Sequence, residues 1–342
     1  MADITTREIN DKEVWENFIK GRPEANFLQS WDWGEFHTRL GDKIHRVGFY
    51  NDDELLFGVM LAVVLDARRG RYLTVPGGPI IDWQSDIMVG AFRETVEKLA
   101  REERCVFVRV RPQLMSDDFS KKLFRRYNFR PAPIHLHAEL TLQLDITKSD
   151  GDLLAGMRKA TRYEIKRAQK LGINMTTSEN PDDIKQFYDI QLATSRRQGF
   201  VPFPYKFLHE QFKAFSTAGN ALLYSAYYEE KLLAQAFIIF YGNEAAYHYG
   251  ASTDDGRKYP GAYLIQWQAI QEAKRRGIRR YNFWGIAPER EKNHRFSGLS
   301  LFKRGFGGEE VEYLHAQDLV INRLRYALVL LVEIIRKKIR RV

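Results

Sequence analysis

The chain has 342 residues, 44% hydrophobic and 28% charged, which excludes a disordered or fibrous protein. At about 150 residues per domain it holds two domains, each large enough for its own core. One cysteine excludes a disulfide framework, a thiolate zinc cluster and an iron–sulfur centre. The 53 Lys and Arg against 44 Asp and Glu leave a net charge of +9, which favours nucleic acid, phosphorylated metabolites or an anionic membrane surface as partners. The N-terminus has no apolar core, so no signal peptide is expected. No apolar stretch, 327–332 included, approaches the ~20 residues of a membrane span. A reducing cytoplasm is the expected home.

Spacing predicts a helix over 12–19 and another over 31–40, with Ser30 placed to cap it. The β-branched runs 45–50 and 55–65 flank Asn51, Asp52 and Asp53, which predicts a hairpin. A strand over 72–75 runs into the turn Pro76-Gly77-Gly78-Pro79, and a helix over 89–102, a strand over 105–110, a helix over 121–127 and a strand over 140–144 follow. Cys105 reads as a small core residue of its strand. His135 and His137 stand two apart on what reads as a strand, a spacing more often structural than metal-ligating. The polar, turn-rich run 145–152 marks a domain boundary.

Beyond it, 221–228 and 232–240 form a second hairpin around Glu229, Glu230 and Lys231, followed by a strand over 244–250, a helix over 261–276 and a strand over 278–283. Strand, acidic turn, Leu-Leu, strand, then helix and strand occurs twice, with Leu55-Leu56 matched by Leu232-Leu233 half a chain later. A duplicated α/β unit is the simplest account, with chance recurrence of hairpin grammar as its competitor.

Two segments concentrate positive charge. Over 153–171, Leu153, Met157, Ile165, Ala168 and Leu171 recur at helical spacing, while Arg158, Lys159, Arg162, Lys166, Arg167 and Lys170 face one acid, Glu164. Like charges at i,i+4 destabilise a helix unless an anion relieves them, so a phosphate-bearing partner stands beside the ordinary reading of a solvated face. Over 321–342, Leu324, Ala327, Leu328, Leu331, Ile334, Ile335 and Ile339 make an apolar stripe that ends in Arg336, Lys337, Lys338, Arg340 and Arg341. Such a helix either docks on the protein, its terminal cations favoured by the macrodipole, or attaches to an anionic leaflet.

No His-Glu-x-x-His, G-x-x-x-x-G-K-[ST], G-x-G-x-x-G or G-x-S-x-G pattern occurs. An enzyme built this way works by positioning two activated partners and stabilising charge. Five segments are distinctive. They are Phe27-Leu28-Gln29-Ser30 with Trp33; Pro76-Gly77-Gly78-Pro79 with Asp82; and Lys159-Ala160-Thr161-Arg162-Tyr163 with Ile165 and Ala168. The fourth runs from Tyr247-His248-Tyr249-Gly250-Ala251-Ser252 through Pro260, Trp267, Ala273 and Gly277 to Tyr281-Asn282-Phe283-Trp284-Gly285. The fifth is Gly298-Leu299 with Leu301-Phe302-Lys303-Arg304-Gly305-Phe306-Gly307.

In this order, over about 27–318, the segments resemble the Fem (FemABX) family of aminoacyl-tRNA-dependent transferases, which build the interpeptide branch of bacterial peptidoglycan precursors. The resemblance implies an α/β (α+β) fold of two tandem acetyltransferase-like (GNAT) domains related by internal duplication. These would span 1–144, completed by the C-terminal helix 315–342, and 145–314. With no heptad insertion between Glu179 and Asn220, the chain looks like the short form without a coiled-coil arm.

The resemblance further implies transfer of an amino acid from aminoacyl-tRNA to the peptide amine of a precursor, either lipid II or UDP-MurNAc-pentapeptide. No metal or other cofactor is implied, and the expected enzyme is a monomer at the inner face of the plasma membrane, in contact with anionic lipid. Lys303, beside Phe302, would stabilise the oxyanion near the 3′ end of the donor, and Asp82 would serve as base for the incoming amine. Thr194 and Arg196, with Arg197 an equal candidate, would bind precursor phosphates. Tyr247 and Tyr249, alternating on a strand and so sharing one face, would line the peptide channel. Trp33 and His37 would belong to the first domain's precursor site, and Arg158, Lys159, Arg162 and Lys166 would contact tRNA. His37 stands where the family often has a lysine, and Gly77 where its turn often has an arginine. Each change removes a cation, which leaves the carrier and the acceptor open. Two competitors remain. One is an N-acyltransferase of the same fold using acyl-CoA or another acyl donor on a cell-envelope acceptor; the Gly-rich pattern of CoA enzymes begins at 196–201 but fails at its last position. The other is a non-catalytic basic protein that binds RNA or membrane.

Overall fold

The computed structural model describes residues 4–67, 70–198, 201–291 and 294–340, with the side chains of 197, 198 and 336–340 outside the description. The chain opens with β1 (Thr5–Glu8), α1 (Lys12–Lys20) and α2 (Trp31–Leu40). Asp11 caps α1, and the Ser30 hydroxyl accepts the Trp33 amide at the start of α2, as the sequence predicts. Next come β2 (Lys43–Tyr50), β3 (Leu56–Ala67), β4 (Gly70–Pro76), α3 (Asp86–Glu102), β5 (Phe107–Arg111), α4 (Asp118–Arg126), β6 (Arg130–Pro131) and β7 (Leu140–Asp145). The second half comprises α5 (Asp150–Gly156), α6 (Lys159–Lys170), β8 (Asn174–Ser178), α7 (Ile184–Gln198), α8 (Tyr205–Ser216), β9 (Ala221–Tyr228), β10 (Lys231–Tyr241), β11 (Glu244–Ser252), α9 (Gly261–Arg275), β12 (Arg280–Gly285), α10 (Ser297–Arg304) and β13 (Glu309–Glu312). The chain closes with β14 (Gln317–Val320) and α11 (Arg323–Arg340).

The strands form two sheets of the same design, β1-β2-β3-β4-β5-β14-β6 and β8-β9-β10-β11-β12-β7-β13. In each, a helix pair joins the first strand to the second, antiparallel strands follow, and one helix leads to a fifth strand parallel to the fourth. The two hairpins read from sequence hold equivalent places, β2–β3 and β9–β10, so the duplicated α/β unit is present. The chain divides into two compact units, one running up to Glu139 and resuming at Glu312, the other covering 140–311.

Three expectations change. The strand read as the end of the first domain, β7, pairs antiparallel with β12 in the second sheet, while β14 takes the matching place beside β5. The fifth strand of each sheet has an antiparallel partner on its outer side: β7, at the start of the second unit's run, beside β12, and β14, after the chain returns to the first unit, beside β5. The helical spacing across 153–171 hides a break at Met157, whose extended backbone (ψ 154°) separates α5 from α6, although Leu153, Met157, Ile165 and Ala168 are all buried. His135 and His137 lie in irregular chain between β6 and β7 rather than on a strand.

Helices cover both faces of each sheet, which is why strands such as Gly58–Val64 in β3 read as nearly unbroken apolar runs. In the first unit Met60, Ala62, Val64, Leu73 and Val75 pack with Met88, Phe92 and Val96 of α3. In the second, Ala234, Ala236 and Ile238 share a core with Ile165 and Ala168 of α6 and Leu264 and Ile265 of α9. On that sheet's other face Phe237 meets Phe212 of α8 edge-on, with centroids 5.0 Å apart. Cys105 is buried in the first core, where desolvation pushes its thiol up to about 11 and leaves it chemically quiet.

Candidate active site

In the first unit, two of the distinctive segments are parts of one device. The fully buried amide of Gln29 donates to the carbonyls of Leu61 on β3 (3.1 Å) and Pro76 at the end of β4 (2.7 Å), and accepts the Leu61 amide (2.8 Å). Asn26 donates to the Gly77 carbonyl at 2.8 Å. The approach is so close that a Cβ at Gly78 would lie 2.4 Å from the Gln29 amide carbon, and one at Gly77, whose φ is +65°, 2.3 Å from the Asn26 oxygen. Glycines at both positions are therefore a packing requirement. Beside this clamp Trp33 packs edge-on against Phe27, Phe36, His37 and His137. The imidazole of His37, buried beside Trp33 and Phe36, lies 2.7 Å from the Asp42 carboxylate. Asp82 stands elsewhere, on an exposed turn, where its carboxylate accepts the Gln84 amide (2.9 Å) ahead of α3.

In the second unit the parallel pair β11–β12 opens. Register is kept only for Glu244↔Arg280, Ala245↔Tyr281 and Ala246↔Asn282. Beyond that point both strands leave regular geometry. On β11, Phe237 faces Tyr249 and Ile238 faces Tyr247, so His248 is the extra residue of a bulge. On β12, Trp284 holds φ +63°, a strained conformation for a bulky residue, with its amide donated to the Asn282 side chain at 2.8 Å. In the first unit the parallel pair β4–β5 stays in register through Pro76↔Arg111.

Lys303 of α10 reaches the opening. It is 5% exposed, its Nζ donates to the Gly285 carbonyl at 2.7 Å, and it lies 5.4 Å from the centre of the Tyr247 ring. Burial without a neighbouring carboxylate lowers the ammonium to about 7, so charged and neutral forms are both populated near neutrality. His248 meets Trp284 edge-on at 5.6 Å, and burial pulls its imidazole down to about 3, which keeps it neutral. Phe302 holds α10 in place by packing on Tyr263 and Phe306. The glycine after the helix is required too: a Cβ at Gly305 would stand 2.3 Å from the Thr161 hydroxyl on α6, and the Gly305 carbonyl accepts the Arg158 amide at 2.9 Å. The basic helix α6 thus starts where the lysine helix ends.

The bulge corrects the expectation for the tyrosine pair. Tyr247 belongs to the core shared with α6 and α9, whereas Tyr249 faces the other way, against Phe203 and Phe237. Thr194 of α7 is buried and donates to the Ser252 carbonyl at 3.3 Å, fastening α7 to the end of β11. Arg196 is exposed at the end of that helix, and the side chain of Arg197 lies outside the described residues. Of the α6 cations, Arg158, Lys159, Lys166 and Lys170 are exposed. Arg162 instead donates to the carbonyls of Leu154, Ala155 and Met157 and so caps α5, while Arg167 pairs with Glu164 at 3.1 Å. Sequence reasoning gave no role to Asn26, His248 or the Gly285 carbonyl, although His248 and Gly285 lie inside a distinctive segment and Asn26 directly precedes one. Among the described residues no cluster of His, Cys, Asp and Glu could hold a metal ion.

A family model described as the FemAB family matches residues 10–126, 134–231 and 208–333. The chain is 20% identical to lipid II:glycine glycyltransferase of Staphylococcus saprophyticus, with 93% of each chain covered. It is 21% identical to aminoacyltransferase FemA of Staphylococcus epidermidis, over 95% of this chain and 97% of that one. Among solved structures, FemX superposes with a TM-score of 0.85 at 17% identity, covering 95% of this chain and 100% of the other. A tandem GNAT protein from the clavulanic acid biosynthesis pathway gives a TM-score of 0.60 at 11% identity over 94% and 99%. The fold is accordingly a tandem pair of acetyltransferase-like units.

Proposed function

The chain belongs to the FemAB family, and from that premise we propose that it is an amide-forming aminoacyltransferase that moves an aminoacyl group from aminoacyl-tRNA to the peptide amine of a peptidoglycan precursor. One relative carries lipid II and glycine in its name, which favours a lipid-linked acceptor and work at the inner face of the plasma membrane. The observation that carries the reading is Lys303, a buried amine poised near neutrality at the opening between β11 and β12.

In the reaction, the acceptor amine attacks the ester carbonyl of the donor, the carbon–oxygen bond to the tRNA 3′ oxygen breaks, and the amine proton ends on that oxygen. As an ammonium, Lys303 stabilises the oxyanion and can pass its proton to the departing 3′ oxygen. With its affinity for protons lowered to about 7, it can then recover one from the amine. The exposed cations at the start of α6, beside the end of α10, suit a donor rich in phosphate. Acyl-CoA is disfavoured by the turn that joins β11 to α9. There, where CoA enzymes cradle pyrophosphate on glycines, this chain has Asp254 and Asp255, and its Gly256 is packed so tightly that a Cβ would lie 1.9 Å from the Leu233 carbonyl.

Incubating the protein with labelled aminoacyl-tRNA or acyl-CoA, and with lipid-linked or nucleotide-linked precursor, tests the proposal. Transfer from tRNA alone is expected. Transfer from CoA alone would replace the proposed donor, and binding of RNA without transfer to any acceptor would leave a non-catalytic protein.

A further inference from the structure

The C-terminal helix α11 turns the usual arrangement inside out. Its docked face is Tyr326, Val329, partly buried Leu330 and Glu333, residues three and four apart that form one stripe. At the centre of that stripe is charge. Glu333, fully buried, binds Arg109 of β5 through both oxygens (2.9 and 3.2 Å), while Arg109 also grips Asp318 of β14 at 2.7 and 2.8 Å and the Tyr326 hydroxyl donates to Asp318 at 2.8 Å. The apolar stripe read from sequence lies on the opposite side, in solvent. Leu324 is 85% exposed, Leu328 67%, Leu331 57% and Ile335 47%, with Val332 and Ile334 flanking them. These are six of the seventeen exposed large hydrophobic residues in the described chain, gathered on one helix. A helix that serves only to close its own unit has polar residues there.

We propose that the outer face of α11 is a membrane-contact surface that lies in the headgroup region of an anionic bilayer, with its aliphatic stripe toward the acyl chains. Charge selects this occupant. The helix sequence holds six cations, Arg323, Arg325, Arg336, Lys337, Lys338 and Arg340, and a single acid, Glu333, which is buried against Arg109. Nothing acidic on α11 is left to face a partner, so a second copy of the helix would bring cations against cations, whereas anionic lipid meets them with phosphate. The helix is too charged to cross, and among the described residues no helix is long and apolar enough to span a membrane. The inference takes its biological sense from a lipid-linked acceptor, but its geometry does not depend on the chemistry at Lys303.

Co-sedimentation of the full chain with vesicles that contain no precursor keeps the two readings separate, because failed transfer would leave vesicle binding unaffected and failed binding would leave transfer standing. Vesicles of phosphatidylcholine with about 30 mol % phosphatidylglycerol should bind the protein at least about tenfold more tightly than phosphatidylcholine alone, and about 0.5 M salt should reverse the binding. The triple variant Leu324→Ser, Leu328→Ser, Leu331→Ser should lose about tenfold or more of that affinity with an unchanged thermal melt, since all three side chains are exposed. Reversing Arg323 and Arg325 to Glu should have the same direction. Binding that the triple variant retains in full, no binding at low salt, or a wild-type dimer in sedimentation velocity that the triple variant dissolves would each overturn the proposal.

Discussion

In the proposed reaction a single lysine concentrates the chemistry, and its burial carries a cost in stability. Lys303 is neutralised more easily in the folded chain, near pH 7, than its ordinary value of 10.5 in an unfolded one. Between those values the unfolded state binds more protons, so this group's contribution to stability rises with pH, and its penalty is fully present below about 7. Lys303→Met should therefore lower kcat about 100-fold or more while raising stability by roughly 1–3 kcal/mol at pH 6, a gain that shrinks toward pH 10. Urea unfolding across that pH range, together with single-turnover transfer, measures both. In the wild type, activity that needs the ammonium should fall as pH rises through about 7, whereas an exposed lysine would hold its charge far above it. Gln29 gives the complementary case, a residue that builds the scaffold. Gln29→Leu strands the Leu61 amide and the Leu61 and Pro76 carbonyls, and should cost about 3 kcal/mol in urea unfolding. The spacing of the motifs made Lys303 and Gln29 conspicuous in the sequence, but the chemical difference between them lies in what surrounds each one, which no spacing records.

At the scale of elements, boundaries set by local chemistry were readable and departures from regularity were not. Ser30 announces α2 because a cap is a local hydrogen bond. Nothing in Tyr247-His248-Tyr249 marks His248 as a residue too many, since a bulge is decided by the partner strand, and that one extra residue sends the two tyrosines to opposite faces. The break between α5 and α6 was hidden in the same way by apolar residues that keep their spacing across it. It also divides the basic residues of α6 by role. Lys159→Glu with Lys166→Glu, both exposed, should weaken tRNA binding and flatten its salt dependence by about one log unit per lost phosphate contact, with the fold intact. Arg162→Ala should instead lower the melting temperature, because its guanidinium caps α5. Filter binding across a salt series, beside a thermal melt, separates the two. In α11 the sequence revealed an amphipathic helix, but the buried Arg109–Glu333 pair reversed which side faces inward.

For the whole molecule, the duplication was legible because each half repeats a hairpin, and the sheets repeat it strand for strand. The place of β7 in the second sheet was not, because a short strand carries no label for the edge it will close. Duplication also separates the halves chemically. The first unit keeps its parallel pair closed and its glycine turn clamped, while the second opens the equivalent pair around a buried lysine. The account therefore assigns bond formation to the second unit and requires that an intact acceptor become heavier by one aminoacyl residue. The most direct measurement is mass spectrometry of a lipid-linked precursor after a single turnover with charged tRNA, for the wild type and Lys303→Met. The account predicts a gain of one aminoacyl residue, in amide linkage at the peptide amine, with the wild type and almost none with the variant. An unmodified precursor beside intact charged tRNA, release of free amino acid without transfer, or equal product from both proteins would contradict it.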